Sequence, residues 1–140
     1  MKRTASAVWT GDLKGGKGAL TTASGVLKET AYSFTTRFEN GIGTNPEELI
    51  AAAHAGCFTM AFSGALGRAG FTPERLATEA TLTLEQVSGS WTITTIHLAL
   101  TGRVPTITPE KFQEIAADAK ANCPVSRVLN AKITLEAKLG

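Results

Sequence analysis

The stretch Gly43 to Phe62, GTNPEELIAAAHAGCFTMAF, decides how the rest of the chain is read. It opens on a helix start. Asn45 can cap with Pro46 at the first helical position, or Thr44 can cap with Glu47 three residues later as a capping box. Either way Glu47 and Glu48 fall in the first turn, where the helix dipole favours carboxylates, and capping alone is a complete structural account of Glu47. No Lys, Arg, Asp or Glu occurs between Leu49 and Gly67, and a helix apolar on every side is buried rather than amphipathic. Small residues recur four apart (Ala51 and Ala55, Ala52 and Gly56, Ser63 and Gly67), so a second backbone can approach closely. The run ends at Gly67-Arg68-Ala69-Gly70, with Gly70 suited to the C-terminal cap. Cys57 stands in its middle. Its reactivity turns on whether another part of the chain brings it a positive charge, because the nucleophile is the thiolate and apolar burial alone raises a thiol pKa.

Outward from the helix, the first forty residues read as an antiparallel meander. Its strands are Thr4 to Trp9, Lys17 to Ala23 and Ala31 to Glu39, with Gly-rich turns between them. LKGGKGAL lacks the spacing of a phosphate loop and reads as a turn. Period-two alternation in the third strand puts Tyr32, Phe34 and Phe38 on one face and Arg37 and Glu39 on the other, so the plain expectation for Arg37 is a solvated pair with Glu39. Beyond the helix come strands Ala77 to Val87 and Trp91 to Thr101, the first with Ala80, Leu82 and Leu84 inward and one wet face. Thr108-Pro109-Glu110 starts a second helix with Phe112, Ile115, Ala116 and Ala119 at core spacing. Cys123 then caps a short helix, Pro124 to Leu129, and Ala131 to Leu139 alternates as a closing strand. The order implies an α+β fold, largely antiparallel sheets around a central buried helix.

At 140 residues the chain is expected to be one domain, residues 1–140. Charged residues at 19% and a net charge of +2 without a basic stripe give no footprint for nucleic acid. The N-terminal MKRTASAVWTGD carries too short an apolar run for a signal peptide, and a cytoplasmic address follows. Leu49 to Gly67 has the length of a membrane span, but its Ala and Gly content, with His54, Thr59 and Ser63 inside it, argues against one. The two cysteines, Cys57 and Cys123, lie 66 positions apart. Secreted, they would be read as a structural disulfide; in a reducing compartment such a pair is more often catalytic, redox-sensing or metal-binding.

Glu47 and Cys57 are ten residues apart, so along one straight helix they stand roughly 15 Å from each other. If both serve one site, either a residue such as Arg37 bridges them or they come from different subunits. The segments TRFE at 36 to 39, GTNPEELIAAAHAGCFTMAFS at 43 to 63 and CPVSRVL at 123 to 129 resemble the OsmC/Ohr family of thiol peroxidases, most closely its OsmC branch. The resemblance implies an intertwined, swapped homodimer with active sites at the subunit interface. It implies that Cys57 attacks the peroxide, that Cys123 resolves the resulting sulfenic acid, that Arg37 activates the thiolate and that Glu47 holds the arginine. No cofactor or metal is implied. The expected partners are a hydroperoxide substrate and a dithiol reductant, a dihydrolipoyl protein by the resemblance.

Phe58, Met60 and Phe62 are expected to supply apolar substrate walls, which favours organic hydroperoxides alongside hydrogen peroxide. His54, three residues before Cys57 on the same helical face, is a candidate auxiliary base, although a histidine satisfied by structural contacts is commoner. A zinc site from His54, Cys57, Cys123 and His97 would not have the spacing of a recognised zinc motif. Two readings from other classes stand beside the peroxidase. One is a non-enzymatic dimeric stress protein that binds a small hydrophobic ligand and merely packs its cysteines. The other is a cysteine redox sensor.

Overall fold

A computed structural model describes residues 1–140 in full and divides them into two compact units, Met1–Leu49 and Ile50–Gly140. The first unit begins as a three-stranded antiparallel sheet: β1 (Ala5–Thr10), β2 (Lys17–Thr22) and β3 (Thr30–Tyr32), paired in that order. The meander is as the glycines implied, but its third strand is short. After Tyr32 the chain turns into a five-residue helix, α1 (Phe34–Phe38). Ser33 causes the change: its hydroxyl accepts from the Thr36 N–H at 3.3 Å, and the Thr36 hydroxyl accepts from the Ser33 N–H at 2.8 Å. This reciprocal capping outweighs the alternating pattern. The expectation that Arg37 lies on a strand face opposite the aromatics is therefore wrong. It belongs to α1, and its guanidinium lies 5.1 Å from the centre of the Phe38 ring.

The central helix, α2, runs Pro46–Arg68. Of the two caps the sequence allowed, Asn45 is used, its side-chain oxygen accepting from the Glu48 N–H at 2.7 Å. Gly70 ends the helix in a left-handed conformation (φ +90°), with Phe71 N–H bonded to Leu66 O at 2.9 Å. Within the single chain α2 is not buried all round. His54, Phe58, Phe62 and Leu66 point inward, while Ala53, Gly56, Met60, Ser63 and Gly67 form a bare stripe on the opposite side.

In the second unit β4 (Arg75–Val87) and β5 (Ser90–Arg103) form a long hairpin across Ser88-Gly89, both at positive φ as a two-residue turn requires. Next, α3 (Pro109–Asn122) leads directly into α4 (Pro124–Val128) and then β6 (Lys132–Leu139). β6 pairs with β5 in parallel, the one departure from antiparallel order, since a helical crossover rather than a hairpin joins them. Phe58, Phe62 and Leu66 of α2, Ile96, Leu98 and Leu100 of β5 and Phe112, Ile115, Ala116 and Ala119 of α3 make the core. Phe62 meets Phe112 edge to face, ring centres 5.2 Å apart.

Candidate active site

In the first unit, Arg37 and Glu47 come together because Asn45 links the end of α1 to the start of α2. Its amide nitrogen donates to Thr36 O at 3.0 Å while its oxygen caps α2. Arg37 Nε and Nη2 then both reach Glu47 Oε1, at 2.9 and 2.8 Å. The arginine's partner is thus Glu47 and not Glu39, and Glu47 does more than favour the helix dipole. Glu47 Oε2 is buried without a partner. The Glu47 side chain is 11% exposed and the Arg37 side chain 39%, so the carboxylate fixes a guanidinium whose remaining N–H donors are open. Arg37 also lines a pocket of about 270 Å³ whose walls are Trp9, Leu13, Tyr32, Phe34 and Phe38. This aromatic pocket was not read from the sequence, although the aromatic residues of the first and third strands were there to suggest it.

In the second unit, Cys57 from the middle of α2 meets Cys123 at the junction of α3 and α4, the two sulfurs 2.8 Å apart and both thiols free. Pro124 forces the junction: it suits the first turn of α4, and the residue before a proline is held out of the helical region, as Cys123 is at φ −56°, ψ 128°. Cys123 is fully buried. Cys57 is half-buried and borders a depression of about 440 Å³ with Met60, Ala61, Arg68, Asp118 and Pro124. Burial pushes the Cys57 thiol above its ordinary pKa, and its hydrogen bond to Cys123 adds to the rise. Burial acts the same way on Cys123 but is outweighed by the hydrogen bond between the two sulfurs, the N–H groups of Ser126 and Val125 and the Ser126 hydroxyl, which bring it below the ordinary value. No backbone N–H of α4 makes a well-aligned capping bond to the Cys123 sulfur. The two thiols titrate as a coupled pair.

His54 is fully buried and turns toward α4: its Nε2 lies 2.7 Å from Ser126 Oγ, and its Nδ1 has no partner. Burial lowers its pKa. Ser126 escaped the sequence reading, though its place three residues after Cys123, on the next helical turn, was a usable signal. Phe58 and Phe62, expected as substrate walls, are 0% exposed and belong to the core, whereas Met60 is 80% exposed. His97 pairs with Thr134 at 2.7 Å, and no group of three His, Cys, Asp or Glu side chains converges as a metal ion would need. By length and composition alone α2 would suit a membrane span.

The chain matches the OsmC family profile, described as OsmC-like protein, over residues 39–138. It is 53% identical over 131 residues to Peroxiredoxin OsmC of Escherichia coli K12, covering 94% of this chain and 92% of that one. Among solved structures, the organic hydroperoxide resistance protein OhrB of Bacillus subtilis superimposes with a TM-score of 0.71 at 26% identity, covering 96% of this chain and 98% of that one. An OsmC-like protein of unknown function from Vibrio cholerae shares the fold at a TM-score of 0.79 and 14% identity, over 98% and 99% of the two chains.

Proposed function

The chain belongs to the OsmC family, and from that premise we propose that it is a thiol-dependent peroxidase in which Cys57 attacks a hydroperoxide and Cys123 resolves the product. The observation that carries the assignment is the free thiol pair, 2.8 Å apart, with one sulfur at the rim of a depression and the other sealed behind it. Only Cys57 is reachable by a peroxide without unpacking the core. Its thiolate attacks the O–O bond, an alcohol or water leaves, and the Cys57 sulfenic acid condenses with Cys123 to a disulfide and water. A dithiol reductant then restores the pair; a dihydrolipoyl protein fits that role because its two thiols can reduce a disulfide by exchange.

Burial works against a Cys57 thiolate, so the reading needs a cation at that sulfur in the assembled protein. Arg37, held by Glu47 with spare N–H donors, is the group we assign to it, stabilising both the thiolate and the charge developing on the peroxide oxygen. The aromatic pocket beside Arg37 suits the organic part of an alkyl or aryl hydroperoxide, with Met60 as a further apolar contact.

We read residues 1–140 as one functional domain of a cytoplasmic homodimer. Two features support a partner copy: the bare stripe of α2 and the first unit's own lack of a core, since its only buried residues are Gly16, Thr36 and Glu47. Burial of the Cys57 thiol, which pushes its pKa up, is what favours the second reading, a stress protein that binds a hydrophobic ligand and merely packs its cysteines. One equivalent of an organic hydroperoxide tests the assignment. It should yield a Cys57–Cys123 disulfide in the native protein and a trappable Cys57 sulfenic acid in Cys123→Ser. Oxidation at Cys123 first would reverse the roles.

A further inference from the structure

We propose that the aromatic pocket beside Arg37 takes a compact organic hydroperoxide that also carries a carboxylate, and that Lys14 is the residue that selects it. The inference rests on the reading of Arg37 as the group that meets the peroxide. Two walls of the pocket are ring pairs. Trp9 and Tyr32 meet with ring centres 5.5 Å apart, and Gly18, paired with Trp9 of β1 and with Tyr32 of β3, is what lets them meet. A Cβ at Gly18 would overlap Tyr32 Cε1 and stand 2.7 Å from Trp9 Cε3. Phe34 and Phe38 are the second pair, their ring centres 5.1 Å apart. Each ring of that pair has a cation beside it: Arg37 lies 5.1 Å from the Phe38 ring centre, and Lys14 Nζ lies 6.0 Å from that of Phe34. A hydroperoxide group at Arg37 therefore leaves Lys14 for a negative charge on the same molecule.

The loop between β1 and β2 holds Lys14 at this edge. The Trp9 indole N–H donates to Gly11 O at 3.1 Å and to Asp12 O at 3.3 Å, which ties the loop to the pocket wall, and Leu13, next to Lys14 in the chain, itself lines the pocket. The turn does not need the lysine. Asp12 makes it, its carboxylate accepting from the Gly15 N–H at 2.7 Å and its carbonyl from the Gly16 N–H at 3.0 Å. Nor does the ring contact account for Lys14, since 6.0 Å lies at the outer limit of a cation–π interaction. Charge is the property left to explain. Arg37 is neutralised by Glu47, whereas Lys14 is exposed and forms no ion pair, so it is the uncompensated cation of the pocket. Its flexible stem lets the ammonium swing to a carboxylate at the rim. At about 270 Å³ the pocket lies at the small end of ligand sites, which run about 300–1,000 Å³, so it fits a single ring or a short branched chain and not a long one.

The 4-carboxylate and the 4-carboxamide of cumene hydroperoxide share one shape and differ by one charge, which makes them the matched pair for a test. The readout is the ratio of their kcat/KM values in the full-length protein with a dithiol reductant, at low salt and about pH 7. The native protein should favour the carboxylate by about fivefold, the scale of an exposed ion pair. Lys14→Gln should remove the preference and Lys14→Glu reverse it. Lys17→Gln takes a charge of the same sign from the start of β2 and should leave the ratio as it is, while salt at about 1 M should erase it. No preference in the native protein, or one that survives Lys14→Gln, overturns the proposal. Loss of the preference in Lys17→Gln would mean a diffuse field and overturn it equally. Calorimetric binding of the two product alcohols separates this outcome from failure of the peroxidase reading. Lys14-dependent binding of the carboxylate alcohol by a protein that consumes neither peroxide keeps the anion preference and removes the peroxidase. Consumption of both peroxides at equal rates keeps the peroxidase and removes Lys14.

Discussion

Arg37 is the residue at which sequence and structure differ most usefully. Alternation put it on a strand beside Glu39; the Ser33–Thr36 capping pair places it in a helical turn against Glu47, where Asn45 brings the two elements together. A few local hydrogen bonds decided this, and period-two reading over so short a segment cannot weigh them. If Arg37 supplies the charge that Cys57 needs, Arg37→Met should raise the pH at which Cys57 is half-alkylated and slow its oxidation by roughly 10²–10³-fold. Alkylation kinetics against pH would show it, and an unmoved midpoint would remove Arg37 from the site. His54 offers a second residue-level prediction. Its native pKa is lowered from an ordinary value near 6.5, so below that value the unfolded chain binds the proton more readily than the native state. The neutral histidine's contribution to stability should therefore be present above about pH 6.5 and be lost as pH falls toward the native pKa. Denaturant unfolding at fixed protein concentration should show a steeper acid loss for the native protein than for His54→Gln.

At the scale of elements, several were legible because their signals were physical and local. Asn45-Pro46 fixes the start of α2, Gly70 its end, and Phe112, Ile115, Ala116 and Ala119 mark the buried face of α3 as their spacing implied. The parallel pairing of β6 was not legible, because alternation in a strand carries no information about the direction of its neighbour. Nor was Gly102, whose role appears only once β5 is packed. A Cβ there would meet Leu76 Cδ2 and Phe112 Cε2, each at 2.9 Å, and Phe112 is wedged against Phe62. Gly102→Ala should cost about 1–3 kcal/mol of unfolding free energy through this overpacking. Chemical denaturation would measure it, and a change within about 0.5 kcal/mol would show that the Phe112 ring moves aside freely.

For the whole molecule, an uncharged helix was expected to be enclosed, yet α2 is enclosed on one side only, with Met60 at 80% exposure in the centre of the bare stripe. A sequence reports that a surface avoids water but not which chain covers it. If a second copy does, Met60→Glu should shift the protein from dimer to monomer in sedimentation, and because the subunits would then lose the shared site, peroxide turnover should fall with it. A dimer undisturbed by that charge would place the interface elsewhere. The most direct measurement is multiple-turnover consumption of an organic hydroperoxide with a dihydrolipoyl reductant, comparing the native protein with Cys57→Ser and Cys123→Ser. Rapid native turnover, abolished in Cys57→Ser and stalled after oxidation of Cys57 in Cys123→Ser, is the predicted result. Absence of turnover with any dithiol, or turnover that survives Cys57→Ser, would contradict it.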